Sequence, residues 1–334
     1  MAYYIGSVTN SSGSFSLAHE NFLEVLKNFL DSITSYTILR YDTSSGVELI
    51  VKTIGISGDD EIYFGFKTYK SVSNDYYNIY CSTLLGYLSG EDFLAQPTFK
   101  RSILPAHNTS IYCLISANEN LCVGALKVGS PETYMHFGAG KFLAAGTPSQ
   151  YSAPFFNAGM TFDETKRYND SSLYMPWHGG SYDKGSYSVS SKTCALRVRD
   201  KSGADINPRV FPFSNYDIDN FYNFYKDNII TPINGKYLLT KLGFMNDKFG
   251  NLDEYNGGPP EFFGWSDIVY YVSGYSNGSL NVIQEGGTYL VDPDGKTTKE
   301  IVDEIIDDAE GSAFVVIADC NRSGFHNFIA MEMS

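Results

Sequence analysis

The sequence predicts a mainly β protein of the α+β type, with antiparallel sheets in a sandwich-like arrangement, an N-terminal amphipathic helix and long loops. Two observations predict it. Residues 47–128 contain runs rich in β-branched and aromatic residues, bounded by Gly, Asp, Asn and Ser. Residues 22–33 place apolar side chains at steps of three and four, which is typical of one helix face. A chain of 334 residues buries roughly 75% of its unfolded surface, so its core needs no disulfides.

The N-terminal segment, residues 1–16, is expected to be extended. Ser16 precedes the predicted helix and is the expected N-cap, because its hydroxyl can accept a hydrogen bond from the first turn. Glu20 and Glu24 suit the positive end of the helix dipole. After the helix, residues 35–41 predict a strand that leads into a Ser- and Gly-rich turn.

Two hairpins are predicted within residues 47–128. The first crosses an acidic turn, and a third strand follows it at hairpin distance. The second crosses an Ala-Asn-Glu-Asn turn. The five strands are expected at residues 47–56, 61–69, 75–83, 110–116 and 121–128.

Two later segments are distinguished by their composition. Residues 130–159 are rich in Gly, Ala and Pro, which allow a backbone or a partner to approach closely. Residues 160–187 are rich in Gly, Ser, Asp and Tyr, and we expect a long, peripheral surface excursion. Further strands are expected at residues 196–199, 236–244, 267–273, 313–318 and 327–331, and short helices at residues 216–228 and 299–309.

The pattern divides the chain into three parts. Residues 1–159 hold the N-terminal helix and an antiparallel β domain. Residues 160–235 form a loop-rich excursion with short elements, and residues 236–334 a C-terminal β portion with a short helix.

The charge and cysteine content narrow the class of protein. A net charge of −14 argues against a nucleic-acid partner and against an anionic membrane surface, since both need a basic face. Five scattered cysteines without a CxxC pair indicate small core residues in a reducing compartment. We find no secretion signal and no apolar run long enough to span a membrane.

No pattern of catalytic or metal-binding residues stands out. The five histidines have no metal-ligand spacing, and no Gly-x-Ser-x-Gly elbow occurs. The most site-like string is Met-Pro-Trp-His-Gly-Gly at 175–180, for which a packed aromatic residue at a turn is the stronger interpretation. We therefore predict no catalytic residue, no cofactor and no metal.

The order of several motifs resembles a family of tailed-bacteriophage virion proteins. The motifs cover roughly a third of the chain, and their order carries the resemblance because each alone is weak. They are Gly55 to Phe66 in the first hairpin, Asp-Tyr-Tyr-Asn at 75–78, Gly86 to Gly90 with Phe93 and Gln96-Pro97, Leu104 to Asn108 with Ser-Ala-Asn at 116–118, Val123 to Val128, Pro148 to Pro154, and Cys320 to Gly324 with Phe328 to Ala330.

The resemblance implies a non-enzymatic structural subunit of the tail, neck or baseplate, assembled in the host cytoplasm and located in the virion. Its partners would be further copies of itself in a symmetric homo-oligomer and other virion proteins. Sheet edges, tyrosine-rich patches and long loops would form the interfaces.

Two alternatives stay open. A carbohydrate-binding or host-adhesion module would stack exposed rings on a glycan, and the candidate ligand or interface residues are Tyr174, Trp177 and Tyr182. Such rings would be exposed in a shallow cleft, whereas rings in an assembly would be buried between subunits. A cell-wall hydrolase would instead need two close carboxylates with perturbed acidity.

Overall fold

The fold is mostly β with antiparallel sheets, as the sequence predicts, and α1 (Ala18–Asp31) is the one α-helix among the described residues. The computed structural model describes residues 1–56, 58, 60–128, 134–144, 155–170, 172–173, 176–178, 195–200, 202–206, 208–211, 238–246, 262–273, 314–318 and 328–332. The expected helices at 216–228 and 299–309 lie outside these residues.

Eighteen strands occur in the described part of the chain. They are β1 (Ala2–Thr9), β2 (Tyr36–Asp42), β3 (Glu48–Thr53), β4 (Ile62–Ser71), β5 (Tyr76–Leu84), β6 (Ser102–Pro105), β7 (Ser110–Ala117), β8 (Leu121–Lys127), β9 (Tyr134–Lys141), β10 (Leu143–Ala144), β11 (Phe155–Ala158), β12 (Leu196–Arg199), β13 (Asp205–Ile206), β14 (Pro208–Phe211), β15 (Leu238–Asn246), β16 (Phe262–Ser273), β17 (Phe314–Ala318) and β18 (Phe328–Glu332).

The strands form three sheets. A seven-stranded sheet has the order β1-β7-β8-β9-β11-β12-β13, and a five-stranded sheet has the order β2-β3-β4-β5-β6. The third sheet has the order β14-β15-β16-β18-β17, with β10 paired to β16. The predicted hairpins β3–β4 and β7–β8 are confirmed, as is the pairing of β5 with β4.

The seven-stranded sheet packs on both faces. Ile115 on β7 and Phe137 on β9 join one core with α1 and the five-stranded sheet. Leu114 and Val123, on the opposite face, join a second core that includes Ile329 of the third sheet. Alternate residues of β7 and β8 enter the two different cores, so both strands are buried along nearly their whole length.

The N-terminus of α1 corrects the predicted cap. Leu17 occupies the N-cap position, and its side chain makes no capping hydrogen bond, so the assignment to Ser16 is wrong. The backbone N–H groups of Ala18 and His19 instead donate to the carbonyl oxygens of Asn108 and His107, at 2.8 and 3.1 Å. The loop before β7 therefore satisfies amides that a side-chain cap would otherwise satisfy.

Two strands that were not predicted lie within the Gly-, Ala- and Pro-rich residues 130–159. Residues 134–141 form β9, and residues 155–158 form β11 beside it. Small residues do permit close approach here: a Cβ on Gly138 would lie 2.9 Å from Val123 Cγ1 and 3.0 Å from Trp177 Cη2. At Gly140, φ is +140° and an added Cβ would clash with the carbonyl oxygen of Asn120.

The described part of residues 160–187 is loop-like with many surface residues, but several of its apolar residues are anchored in the core. Met160, Leu173 and Trp177 are buried in the two cores. The side chain of Asn78 also donates to the carbonyl oxygens of Glu164 and Lys166, at 2.7 and 3.2 Å. The segment packs because its few apolar residues fill space beside β5, β6 and β9, which local sequence periodicity does not show.

The sheets extend across the boundaries of the three-part division. β12 and β13 come from residues 160–235, yet they complete the sheet that begins with β1. β14 comes from the same part and pairs with β15 of the C-terminal portion.

Candidate functional site

Tyrosines gather on the outer face of the five-stranded sheet, which points away from α1. Strict alternation along β4 builds this face: Ile62, Phe64 and Phe66 enter the core, whereas Tyr63 and Tyr69 point outward. We define the tyrosine face by the rings that share its apolar cluster: Tyr63, Tyr69, Tyr80, Tyr87, Phe93 and Phe99. Tyr80 and Phe93 are buried in it, and the other four rings are half-buried.

A stacked pair and an ion pair organise one half of the tyrosine face. The rings of Tyr69 and Tyr80 stack with centroids 5.5 Å apart, and the Arg101 guanidinium lies 4.8 Å from the Tyr80 centroid. The Tyr80 hydroxyl donates to Glu164 Oε2 at 2.8 Å, and Arg101 Nη1 lies 2.7 Å from the same oxygen. Burial, then the bond to Glu164, raises the pKa of Tyr80, so its hydroxyl stays protonated at neutral pH.

A charged network organises the other half. The nearly buried carboxylate of Glu48 accepts from Lys67 Nζ and from Arg40 Nε, the latter at 2.9 Å. Arg40 also pairs with Asp42 at 2.7 Å, and its bond to Glu48 raises the pKa of Arg40. Each charge on the network therefore has an opposite partner, which offsets the cost of taking it out of water.

A loop, residues 85–99, covers part of the tyrosine face. The ring of Phe93, from this loop, packs against Gly65 of β4. A Cβ added to Gly65 would lie only 2.8 Å from Phe93 Cε2, so a larger residue would not fit there. The Gln96 side chain accepts from Leu88 N–H at 2.8 Å and donates to the carbonyl oxygens of Leu88 and Glu91, both at 3.0 Å. The loop leaves Leu88 and Leu94 exposed at 51% and 43%, so an apolar border continues the tyrosine face.

The side chains on this surface are of kinds that also occur in protein interfaces. The surface offers aromatic rings, leucines and ion-paired cations, which protein interfaces use widely.

Burial raises the pKa values of the thiols of Cys81, Cys113 and Cys122, and that of Cys113 reaches about 12, so all three are protonated. The described residues contain no group of three His, Cys, Asp or Glu placed to hold a metal ion. In the same part of the chain, no helix is both long enough and apolar enough to span a membrane.

The structure places only one of the three sequence-selected residues. Trp177 is 1% exposed, with its ring centroid 6.2 Å from that of Phe156 and its side chain in the core shared with the third sheet. Its ring presents no free face to a glycan or a partner, which corrects its selection as a contact residue. The packed-aromatic interpretation of residues 175–180 holds for Trp177. Tyr174 and Tyr182 lie outside the described residues.

Sequence reasoning missed Tyr63, Tyr69 and Tyr87, although a signal existed for two of them. In residues 62–69, one alternate set is Ile, Phe, Phe and Thr, and the other is Tyr, Gly, Lys and Tyr. The more apolar set faces the core, so Tyr63 and Tyr69 had to face outward. Tyr87 carries no such signal, because it reaches the face from a loop.

Comparison of the sequence with models of known protein families and with curated proteins found no match. The phage resemblance stays a prediction based on the motifs.

Proposed function

We propose that this chain is a non-enzymatic structural subunit of a tailed-phage virion, in the tail, neck or baseplate, and that it acts through self-association and contacts with other virion proteins. The observation that carries the proposal is the tyrosine face with its exposed border at Leu88 and Leu94. Large aromatic rings beside Arg101 supply contact area at low entropic cost, which is typical of interface cores.

The roles of the motif residues support a scaffold. Gly65 and Phe93 belong to two different motifs and pack against each other. Gln96 holds its own loop closed, and Asn118 Oδ1 accepts from the backbone N–H groups of Asn120 and Leu121 at the hairpin tip. These residues therefore fix the shape of turns and loops.

The remaining features agree with assembly in a reducing cytoplasm. The three described cysteines are free and buried, and the charge of −14 keeps unassembled copies apart in solution. Trp177 is inside the core, so its ring serves neither a glycan nor a partner subunit. The preference for assembly rests on the tyrosine face.

Peptide mass spectrometry of gradient-purified particles from the source tests the proposal. Abundance is normalised to the major capsid protein. We expect the chain at a fixed stoichiometry that persists through a second gradient. Recovery of the protein only from the free lysate fraction would overturn the structural role.

A further inference from the structure

The connection between β5 and β6 is far longer than its two ends require. These strands are antiparallel neighbours in the five-stranded sheet, where residues 78–81 pair with residues 102–105. Loops of about two to five residues are enough to join such neighbours, yet this connection runs from residue 85 to residue 101. Loops of this length in compact domains are usually functional. We therefore ask what holds residues 85–99, the part that covers the tyrosine face.

Two contacts close the base of this loop. The backbone N–H of Leu85 donates to the hydroxyl of Thr98 at 3.1 Å, which joins the two ends of the loop. The turn between β12 and β13 packs on the same two residues, because a Cβ added to Gly203 would lie 3.0 Å from Leu85 Cδ1 and 3.1 Å from Thr98 Cγ2. A hairpin of the seven-stranded sheet therefore rests on the base of a loop that belongs to the five-stranded sheet.

Arg199 of β12 ties this base to the body of the protein. Its side chain is buried, with Nη1 donating to the carbonyl oxygen of Thr98 and Nη2 to that of Thr83 on β5. Nη2 also lies 3.4 Å from Asn157 Oδ1 on β11. One guanidinium therefore holds both the last turn of the loop and the end of the strand from which the loop begins.

Two features of this contact are costly. Thr98 has a φ of +57°, in the left-handed region that β-branched residues rarely adopt. Arg199 is a buried cation whose hydrogen-bond partners among the described residues are all neutral, while the nearby carboxylate of Asp205 pairs with Lys100 at 2.6 Å. Strained backbone conformations cluster at binding and switching sites, where the surrounding structure holds them in place. The two costs therefore indicate that the geometry of this loop is used.

The loop carries the border of the tyrosine face. Leu88 and Leu94 lie within it and are both exposed. The Tyr87 hydroxyl donates to the carbonyl oxygen of Leu39 at 3.1 Å, so the loop crosses the outer face of the sheet from β5 to the edge strand β2. A shift at the base of the loop would therefore move both leucines relative to the tyrosine rings.

We propose that Arg199 and Thr98 form a lock that positions residues 85–99, and that this lock determines where Leu88 and Leu94 meet a partner of the tyrosine face. Both are positioning residues, because they act through the loop. The inference rests on the proposed function for its role in assembly, whereas the lock itself is a property of the free chain.

Hydrogen exchange of the free, full-length chain tests the lock. Arg199→Met removes both guanidinium bonds. The matched control Arg197→Met removes an arginine from the same face of β12, where its Nε donates to the carbonyl oxygen of Arg101 at 3.2 Å. We expect amides of residues 85–99 to exchange about tenfold faster or more in Arg199→Met and at the wild-type rate in Arg197→Met.

Exchange in β8 separates a local opening from a general loss of stability. Amides of residues 121–127 should keep the wild-type rate in both arginine variants, because β8 lies in the interior of the seven-stranded sheet. Wild-type exchange of residues 85–99 in Arg199→Met would overturn the lock.

Thr98→Val tests the lock at an exposed position, where the chain should fold normally. The valine keeps the shape of the side chain and removes the hydroxyl that accepts from Leu85. The matched control Thr165→Val removes another loop hydroxyl, which donates to Asp163 at 2.7 Å. We expect residues 85–99 to exchange about fivefold faster in Thr98→Val only. Unchanged exchange there would overturn the lock even if Arg199→Met failed to fold.

Particle incorporation tests what the lock positions the loop for. Tagged Thr98→Val or tagged Thr165→Val is produced in infected cells beside the wild-type chain, and mass spectrometry measures the tagged fraction in purified particles and in the soluble lysate. We expect a severalfold lower particle fraction for Thr98→Val at equal soluble levels. Equal incorporation of the two variants would overturn the positioning role. Absence of the wild-type chain itself from particles would contradict the proposed function instead, so the two failures are distinguishable.

Discussion

His19 illustrates how a single buried residue links stability to pH. It is 0% exposed, and neither ring nitrogen has a hydrogen-bond partner among the described residues. Tyr77 on β5 packs against its ring at 5.5 Å, and Lys70 on β4 and His107 before β7 lie close enough to disfavour a second positive charge. Burial, then these two neighbours, lowers the pKa of His19 to about 3.

The expected consequence is a loss of stability in acid. The unfolded chain binds a proton at His19 near pH 6.5, whereas the folded chain binds it only near pH 3. The contribution of the neutral imidazole to the free energy of unfolding is therefore fully present above pH 6.5 and is lost as pH falls toward 3. From pH 7 to pH 4.5 we expect this residue to lower the free energy of unfolding by roughly 2–3 kcal/mol. In His19→Leu, the free energy of unfolding measured by urea denaturation should fall less between pH 7 and pH 4.5 than it does in the wild type.

The control for this prediction is His107→Leu. His107 is only part-buried, and its Nδ1 lies 2.8 Å from the Thr109 hydroxyl. We expect a smaller effect on this fall, because its pKa is lowered less by burial. An unchanged acid slope in His19→Leu would show that the imidazole is accessible to protons in the folded chain.

At the scale of elements, the loop of residues 85–99 depends on Gln96. Its side chain is 3% exposed and makes three hydrogen bonds to the loop backbone. Gln96→Ala should lower the free energy of unfolding by roughly 2 kcal/mol, since it leaves buried backbone groups unpaired. Glu91→Ala, at an exposed position of the same loop, should change it by less than about 0.5 kcal/mol.

Denaturant unfolding measures both losses, and limited proteolysis locates them. We expect cleavage within residues 85–99 to accelerate in Gln96→Ala, because the loop that carries Phe93 is then no longer held by the Gln96 hydrogen bonds. Glu91→Ala should leave the cleavage rate unchanged. Equal losses in both variants would mean that Gln96 does not hold the loop.

The elements that the sequence predicted share one property, which is a local pattern. Alternation and turn residues located β3, β4, β5, β7 and β8, and three- and four-residue steps located α1. The strand β9 was missed because three of its eight residues are Gly or Ala, so its side chains do not alternate visibly in hydrophobicity. The actual cap of α1 was missed because its partners lie about ninety residues later.

At the scale of the whole molecule, long-range contacts decide what local patterns cannot. The Arg199 side chain is 0% exposed and donates to the carbonyl oxygens of Thr98 and Thr83, which lie 101 and 116 positions earlier. Burial lowers the pKa of Arg199 to about 10, which still leaves it charged at neutral pH. No sequence pattern predicts this junction between β12 and the five-stranded sheet, because the carbonyl groups of Thr98 and Thr83 could belong to any residue type.

The layering of the sheets also determines which surfaces remain for assembly. The seven-stranded sheet is covered on both faces, by the five-stranded sheet with α1 and by the third sheet. In the described part of the chain, contacts through this sheet are therefore limited to its edges, whereas the five-stranded sheet offers its outer tyrosine face. The alternation of β4 could predict Tyr63 and Tyr69, but the border at Leu88 and Leu94 depends on how a loop folds.

Hydroxyl-radical footprinting of the free chain and of purified particles tests the assembly role of the tyrosine face most directly. Modification of Tyr63, Tyr69 and Leu88 should drop severalfold in particles, because partner atoms would exclude water from these side chains. Val72, which is 70% exposed at the turn after β4, gives the reference for solvent exposure away from this face. Equal modification of the tyrosine face in both states, relative to Val72, would contradict its role as an assembly surface.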